Sequence, residues 1–314
     1  MNIVAVKEVF SVKNHFHLPK HSDITIRPFS ECVNDMSIDA FLQTNILCKF
    51  KAHALHSYYK FISNSKKPYL VMEQSVFRRG VDIKDPKKSF FRLGLYSYTY
   101  DVGFFNNKNS PPDRWKKIKE QCNIEIKPWK SVGDYILILL QNPEDSSLNN
   151  LNINYSQWIK EIILTISTKT HEDIVVRLHP RFIKKYQKEI IPFINKISIP
   201  NKITIRSTPN SNLSSGGKDF EEDLRGARAV ISFSSNGLQE AVCEGIPTIS
   251  MDKSSFAWPV SYHSLDVLSE KNIKCEFERD QWLYDCAYCQ WTPDELDSGY
   301  PHMRLLGKGR WQLN

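Results

Sequence analysis

From residue 131 onward, short continuous apolar runs alternate with amphipathic segments of helical period, and this alternation restricts the fold more than any other feature of the chain. The apolar runs predict strands over 135–140, 173–178, 202–207, 229–233 and 247–250. The segments between them predict helices over 156–170, 182–197, 220–227 and 237–244. Strands that are apolar on both faces must be covered on both faces, and strand–helix–strand units of this length satisfy that by forming a parallel sheet between helical layers. The fold class is therefore α/β, with a Rossmann-like C-terminal half. The Gly-x-Gly-x-x-Gly turn of dinucleotide oxidoreductases is missing, which argues against nicotinamide or flavin chemistry.

The N-terminal half is less regular. It predicts a strand at 3–6, helices near 35–62, and a strand over 68–72 that ends at Glu73. An aromatic stretch of loops and short strands follows over 92–115, and then a helix opens at Asp113-Arg114-Trp115 behind Pro111 and Pro112. A chain of 314 residues accommodates two domains. We set them at 1–130 and 131–290, with a tail of 291–314 in which Thr292 and Pro293 open a helix.

The longest apolar run, 135–140, is far too short to span a bilayer, and the N-terminus gains charge too early for a signal peptide. The seven scattered cysteines do not resemble an extracellular disulfide framework, so reduced thiols and a cytoplasmic location are expected. Cys275, Cys286 and Cys289, completed by His263 or His302, raise the alternative of a zinc site; packing of these thiols among Trp282, Tyr284 and Trp291 is the preferred reading.

Charge is distributed unevenly. Residues 1–130 carry 22 basic and 12 acidic side chains, while the remainder carries 20 and 23. The imbalance points to a polyanionic partner for the first half, with solubility as the plainer explanation.

Two motifs sit at predicted strand ends. In 232–247 a buried strand runs into Ser234-Ser235-Asn236-Gly237 and a helix begins at once, so backbone N–H groups and serine hydroxyls are offered to an anion such as a phosphate. Gly237 permits close approach, and Glu240, a turn into the helix, is placed to accept from ribose hydroxyls. In Arg177-Leu178-His179-Pro180-Arg181, a histidine between arginines suits a diphosphate or its departure. Ligands of open α/β sheets bind at this edge.

The order of Gln141-Asn-Pro-Glu-Asp-Ser-Ser147, the His179-Pro180 pair and Ser234-Ser-Asn-Gly-Leu-Gln-Glu-Ala241 resembles that of GT-B glycosyltransferases of the capsule-polysaccharide Kdo transferase type, over roughly 131–255. Glu73 with its following Arg-containing loop, and Arg114-Trp115, are weaker matches to the same group. The resemblance implies a GT-B-like fold of two Rossmann-like domains with a cleft between them, and a C-terminal helix that returns to brace the first domain. It implies a nucleotide-sugar donor held by Gln141, Arg177, His179, Arg181, Ser234, Ser235, Asn236, Gly237 and Glu240, with no cofactor. An inverting enzyme needs a carboxylate base, for which Glu73 is first and Asp101 second, while His179 meets the leaving group. No Asp-x-Asp occurs, so metal-independent transfer is expected.

The acceptor stays open among three readings. The charge imbalance favours DNA bearing hydroxymethylated pyrimidines, as in phage DNA modification within the host cytoplasm, with Arg78 and Arg79 on phosphates and Tyr98, Phe104, Tyr96 and Phe105 stacking on bases. The motifs favour a capsule or surface polysaccharide. A non-catalytic nucleotide-sugar binding module is the third.

Overall fold

The computed structural model describes residues 1–10, 16–44, 56–77, 85–143, 145–180, 186–207 and 217–307. The chain divides into two units, one of residues 1–76, 80–118 and 283–314 and the other of 77–79 and 119–282. The sequence-based boundaries lie at 130 and 290.

The first unit is built on strands β1 (Ile3–Val6), β2 (Ile24–Arg27), β3 (Ala40–Thr44), β4 (Tyr69–Gln74), β5 (Phe91–Leu95) and β11 (Gln290–Trp291), in the order β11-β5-β4-β3-β1-β2. The four strands from β2 to β4 pair in parallel, and β5 and β11 are antiparallel additions. Ala40–Thr44 corrects the expectation of helix near 35–62. Within that range a helix is found over His56–Ser65, and residues 45–55 lie outside the described residues. Five residues, three apolar and two polar, have no legible period, and the segment's position between β1 and β4, buried throughout, decides for strand.

One face of this sheet packs Ile3, Ala5, Leu42, Leu70, Met72 and Leu93 against Trp291, Leu296, Leu305 and Leu306 from the end of the chain. The opposite face packs Val4, Val6 and Phe41 against Tyr58, Tyr59 and Ile62. The helix Pro293–Asp297 starts as its sequence predicts: the Thr292 hydroxyl accepts from the Glu295 N–H, and the Glu295 carboxylate accepts from the Thr292 N–H. That carboxylate also takes a two-pronged contact from Arg114, at 2.9 and 3.1 Å, and a third from Lys117 at 2.9 Å. The Arg114 guanidinium lies over the Trp291 ring, 4.0 Å from its centre.

The second unit holds β6 (Tyr135–Leu139), β7 (Asp173–Arg177), β8 (Ile203–Arg206), β9 (Ala227–Ser232) and β10 (Thr248–Ser250), all parallel, in the order β10-β9-β6-β7-β8. The helix Tyr155–Lys169 buries Trp158, Ile159, Ile162, Ile163 and Ile166 on one face at the expected spacing, and Asn154 caps it by accepting from the Ser156 N–H at 2.8 Å. The helix expected over 182–197 is described only from 186. Tyr186–Ile190 forms one wide π turn and Ile191–Ile194 a short α turn, where Pro192 has no N–H to continue the regular pattern.

Burial pushes the Glu295 carboxyl up, but the hydrogen bonds from Arg114, the Thr292 backbone and Lys117 outweigh it and hold its pKa at about 2. A depressed carboxylate adds stability above its unfolded pKa, and that stability is lost as pH falls from about 4.3 toward 2. Glu295→Gln is expected to cost about 1.5–3 kcal/mol at pH 7 and to flatten this acid-dependent loss, as measured by urea unfolding from pH 2 to 7.

Candidate functional site

The second sheet begins at its middle strand. From β6 the chain adds β7 and β8 on one side, then returns to add β9 and β10 on the other. Connections leaving β6 and β9 therefore diverge, and the carboxyl ends of these two strands are where an open α/β sheet offers a ligand crevice. Gln141 and the 234–237 turn both sit there.

Gln141 is buried, and its carboxamide bridges the two strand ends. Its Oε1 accepts from the Ser234 N–H at 2.8 Å and from the Ser232 hydroxyl at 3.4 Å. Its Nε2 donates to the Ser147 hydroxyl at 2.9 Å and to the Ser234 hydroxyl at 3.2 Å. Both amide protons and the carbonyl oxygen are thus used inside the protein, so what Gln141 offers a ligand is the placement of Ser234. Its backbone is held as firmly: the N–H donates to the Tyr155 hydroxyl at 2.7 Å, and the carbonyl accepts from the Tyr186 hydroxyl.

Ser234 directs its hydroxyl to the Ser147 carbonyl at 3.3 Å. Ser235 differs. Its Oγ accepts from the Gly237 N–H at 3.2 Å, and among the described residues its own hydroxyl proton has no acceptor. It is half-buried, at the crevice. Asn236 is half-buried beside it and Glu240 is buried in the helix Gly237–Cys243. A Cβ on Gly237 would stand 2.6 Å from Leu139 Cδ1 and 3.3 Å from the Phe220 ring, so a side chain here would have to displace the end of Leu139.

His179 is half-buried just after β7, where the Leu178 N–H donates to the Arg206 carbonyl at 2.9 Å. Arg177 is turned elsewhere. Its guanidinium pairs with Asp223 beneath the helix Gly217–Gly226, 5.2 Å from the Phe220 ring centre, and Asp223 also receives Arg206. Sequence reasoning missed Asp223 among three consecutive acids. A signal was present: Phe220, Asp223 and Leu224 follow the i, i+3, i+4 spacing of a buried helical stripe, and all three are buried.

In the first unit, Glu73 is half-buried on β4, opposite Arg92 in the register, and accepts from the Gln74 N–H at 2.9 Å. Arg92 is 4% exposed and donates to the Gln74 and Tyr98 carbonyls, both at 3.1 Å. Asp101 is half-buried in a turn. Of the expected stacking residues Tyr98 and Phe105 are buried, Tyr96 is partly buried against Tyr69, and Phe104 is 44% exposed beside the exposed Val102. Arg78, Arg79 and Arg181 lie outside the described residues. Cys275 is buried, and burial pushes its thiol up to about 12; burial likewise raises Cys289. Neither of these cysteines, nor Cys286, joins a metal-ligand group among the described residues.

No protein-family profile matches the chain, and no curated protein matches it in sequence. Solved structures share its fold, two of which follow. The Thermosulfurimonas dismutans KpsC beta Kdo 2,4 transferase aligns at a TM-score of 0.52 and 11% identity, over 91% of this chain and 90% of its own. The beta Kdo 2,7 transferase of the same organism's KpsC aligns at a TM-score of 0.50 and 14% identity, over 96% of this chain and 100% of its own.

Removing Asp223 takes away the buried carboxylate that Arg177 and Arg206 share, so Asp223→Ala is expected to cost about 3–5 kcal/mol. Gly237→Ala, by overpacking, should cost about 1–3 kcal/mol, both read from urea midpoints. The alignment with these two structures spans both units, and the fold of the chain is α/β and GT-B-like.

Proposed function

We propose that the protein is a nucleotide-sugar-dependent glycosyltransferase that moves a sugar to a hydroxyl of a glycan acceptor. The observation that carries the reading is Ser235: a hydroxyl whose proton has no acceptor among the described residues, at the strand-order reversal of a parallel sheet, on a turn braced by Gln141. The whole-length likeness to two Kdo transferases supports glycan over DNA as acceptor. The charge imbalance still favours hydroxymethylated DNA, which we keep as the second reading. Its weight is reduced because the described arginines of 1–118 are engaged internally: Arg27 with Asp35 at 2.5 Å, Arg92 with backbone carbonyls, and Arg114 with Glu295.

In this reading the donor phosphate takes the Ser235 hydroxyl and His179, and Glu240 serves the ribose. Glu73 removes the proton of the acceptor hydroxyl as that oxygen bonds the anomeric carbon and the bond to phosphate breaks; Asp101 is the other candidate base. Charge on the departing phosphate is met by His179 and the hydroxyl, without a metal ion.

Mass spectrometry tests the reading, with the protein incubated with a panel of nucleotide sugars and either oligosaccharide or hydroxymethylated DNA. A sugar-sized mass gain on the oligosaccharide is expected; gain on digested nucleosides transfers the function to the second reading, and no donor consumption on either overturns both. Ser235→Ala with His179→Ala should abolish donor binding in a folded protein. Glu73→Gln should keep donor binding while turnover falls by about 10²–10⁴-fold, and Asp101→Asn should stay active. The reverse pattern assigns the base to Asp101.

A further inference from the structure

Three potential metal ligands meet in the first unit, from the two ends of the chain. His21 and Asp23 form the turn that leads into β2, and His302 lies on the helix Tyr300–Leu306. The Asp23 Oδ2 atom is 3.6 Å from His21 Nδ1 and 3.3 Å from His302 Nε2, and the three ligand atoms all lie within 4.8 Å of one another.

These spacings are informative. Good hydrogen bonds between nitrogen and oxygen are about 2.7–3.2 Å long, so 3.6 Å is too long for one and 3.3 Å is slack. Ligands at about 2.0–2.2 Å from one tetrahedral ion stand roughly 3.3–3.6 Å apart, the range of the two separations from Asp23, and the histidine nitrogens lie within 4.8 Å of each other. We propose that His21, Asp23 and His302 form a divalent transition-metal site, suited to zinc, that fastens the C-terminal helix to the N-terminal strands.

The surroundings fit. His302 is 2% exposed, and its ring meets that of His21 edge-on with centroids 4.9 Å apart. His21 Nδ1 accepts from the Asp23 N–H at 3.2 Å, so it is the unprotonated nitrogen of the ring, and a metal ion bound there would replace that contact. Asp23 is held from its other side, where Oδ1 accepts from the Met1 amino group at 3.1 Å. Gly299, at φ 80°, leaves room for the His21 ring: a Cβ there would stand 2.5 Å from His21 Nε2. Two imidazoles with one carboxylate match zinc in donor type, and the fourth position is left to water. The site belongs to the first unit, and the proposed transfer chemistry does not depend on it.

The test is titration of metal-free full-length protein with Zn²⁺ by calorimetry, with Co²⁺ absorption as a spectroscopic probe. One equivalent of Zn²⁺ is expected to bind, Co²⁺ should give the visible bands of a low-coordinate nitrogen and oxygen site, and Zn²⁺ should raise the Tm. His302→Ala risks unfolding because that ring is buried. The side chains of His21 and Asp23 are 22% and 23% exposed, so His21→Gln and Asp23→Asn carry the comparison. Each should weaken Zn²⁺ binding by at least about tenfold and remove the rise in Tm. Failure of the wild-type protein to take up one equivalent, or equal affinity in both folded variants, overturns the site.

Discussion

Burial of β6 on both faces and along both edges is the constraint on which the second unit depends. Every residue of Tyr135–Leu139 is buried, and the strand pairs in parallel with β7 on one side and β9 on the other. A parallel strand with two partners needs helical cover above and below, and a chain that starts in the middle must reverse its direction of growth. The reversal separates the connections after β6 and β9. Gln141, placed at that separation, closes it with a polar bridge whose every hydrogen-bonding group is used, since an amide left half-paired at this depth would cost more than it contributes.

The first unit depends on a different long-range contact. Residues 290–306 return to cover one face of its sheet, and Trp291, at 1% exposure, is the largest side chain among them. Arg114 holds that return by stacking on Trp291 and gripping Glu295, a residue that also caps its own helix. Loss of Glu295 is thus felt at a helix start, at a half-buried guanidinium and at a lysine together. Such shared use explains a carboxyl that stays ionised far below the ordinary range although burial opposes it.

The candidate site was partly legible. Ser234, Ser235, Asn236 and Gly237 could be placed at a strand end because a buried strand, small polar residues and an immediate helix make a local pattern. What each does was not legible. Gly237 serves contact with Leu139, and Arg177 faces Asp223 under a helix, because the side a residue takes at a strand's last position depends on which helix crosses there. Among the described residues Ser235 has no acceptor for its hydroxyl proton while its neighbour Ser234 donates its own, a distinction that two adjacent serines in a sequence do not reveal.

Periodicity and punctuation alone determined the alternation in 131–255 and the Thr292 cap, because these follow from interactions between residues near one another in the chain, and the helix-length connections then implied a parallel sheet. Tertiary structure decided the rest. Ala40–Thr44 became a strand through neighbours on both sides. Gln290–Trp291 joined a sheet begun at residue 3, and His302 came to face Asp23 across 279 positions. Each of these pairings is set by the burial of apolar surface between segments far apart in sequence, for which a single sequence carries no local signal.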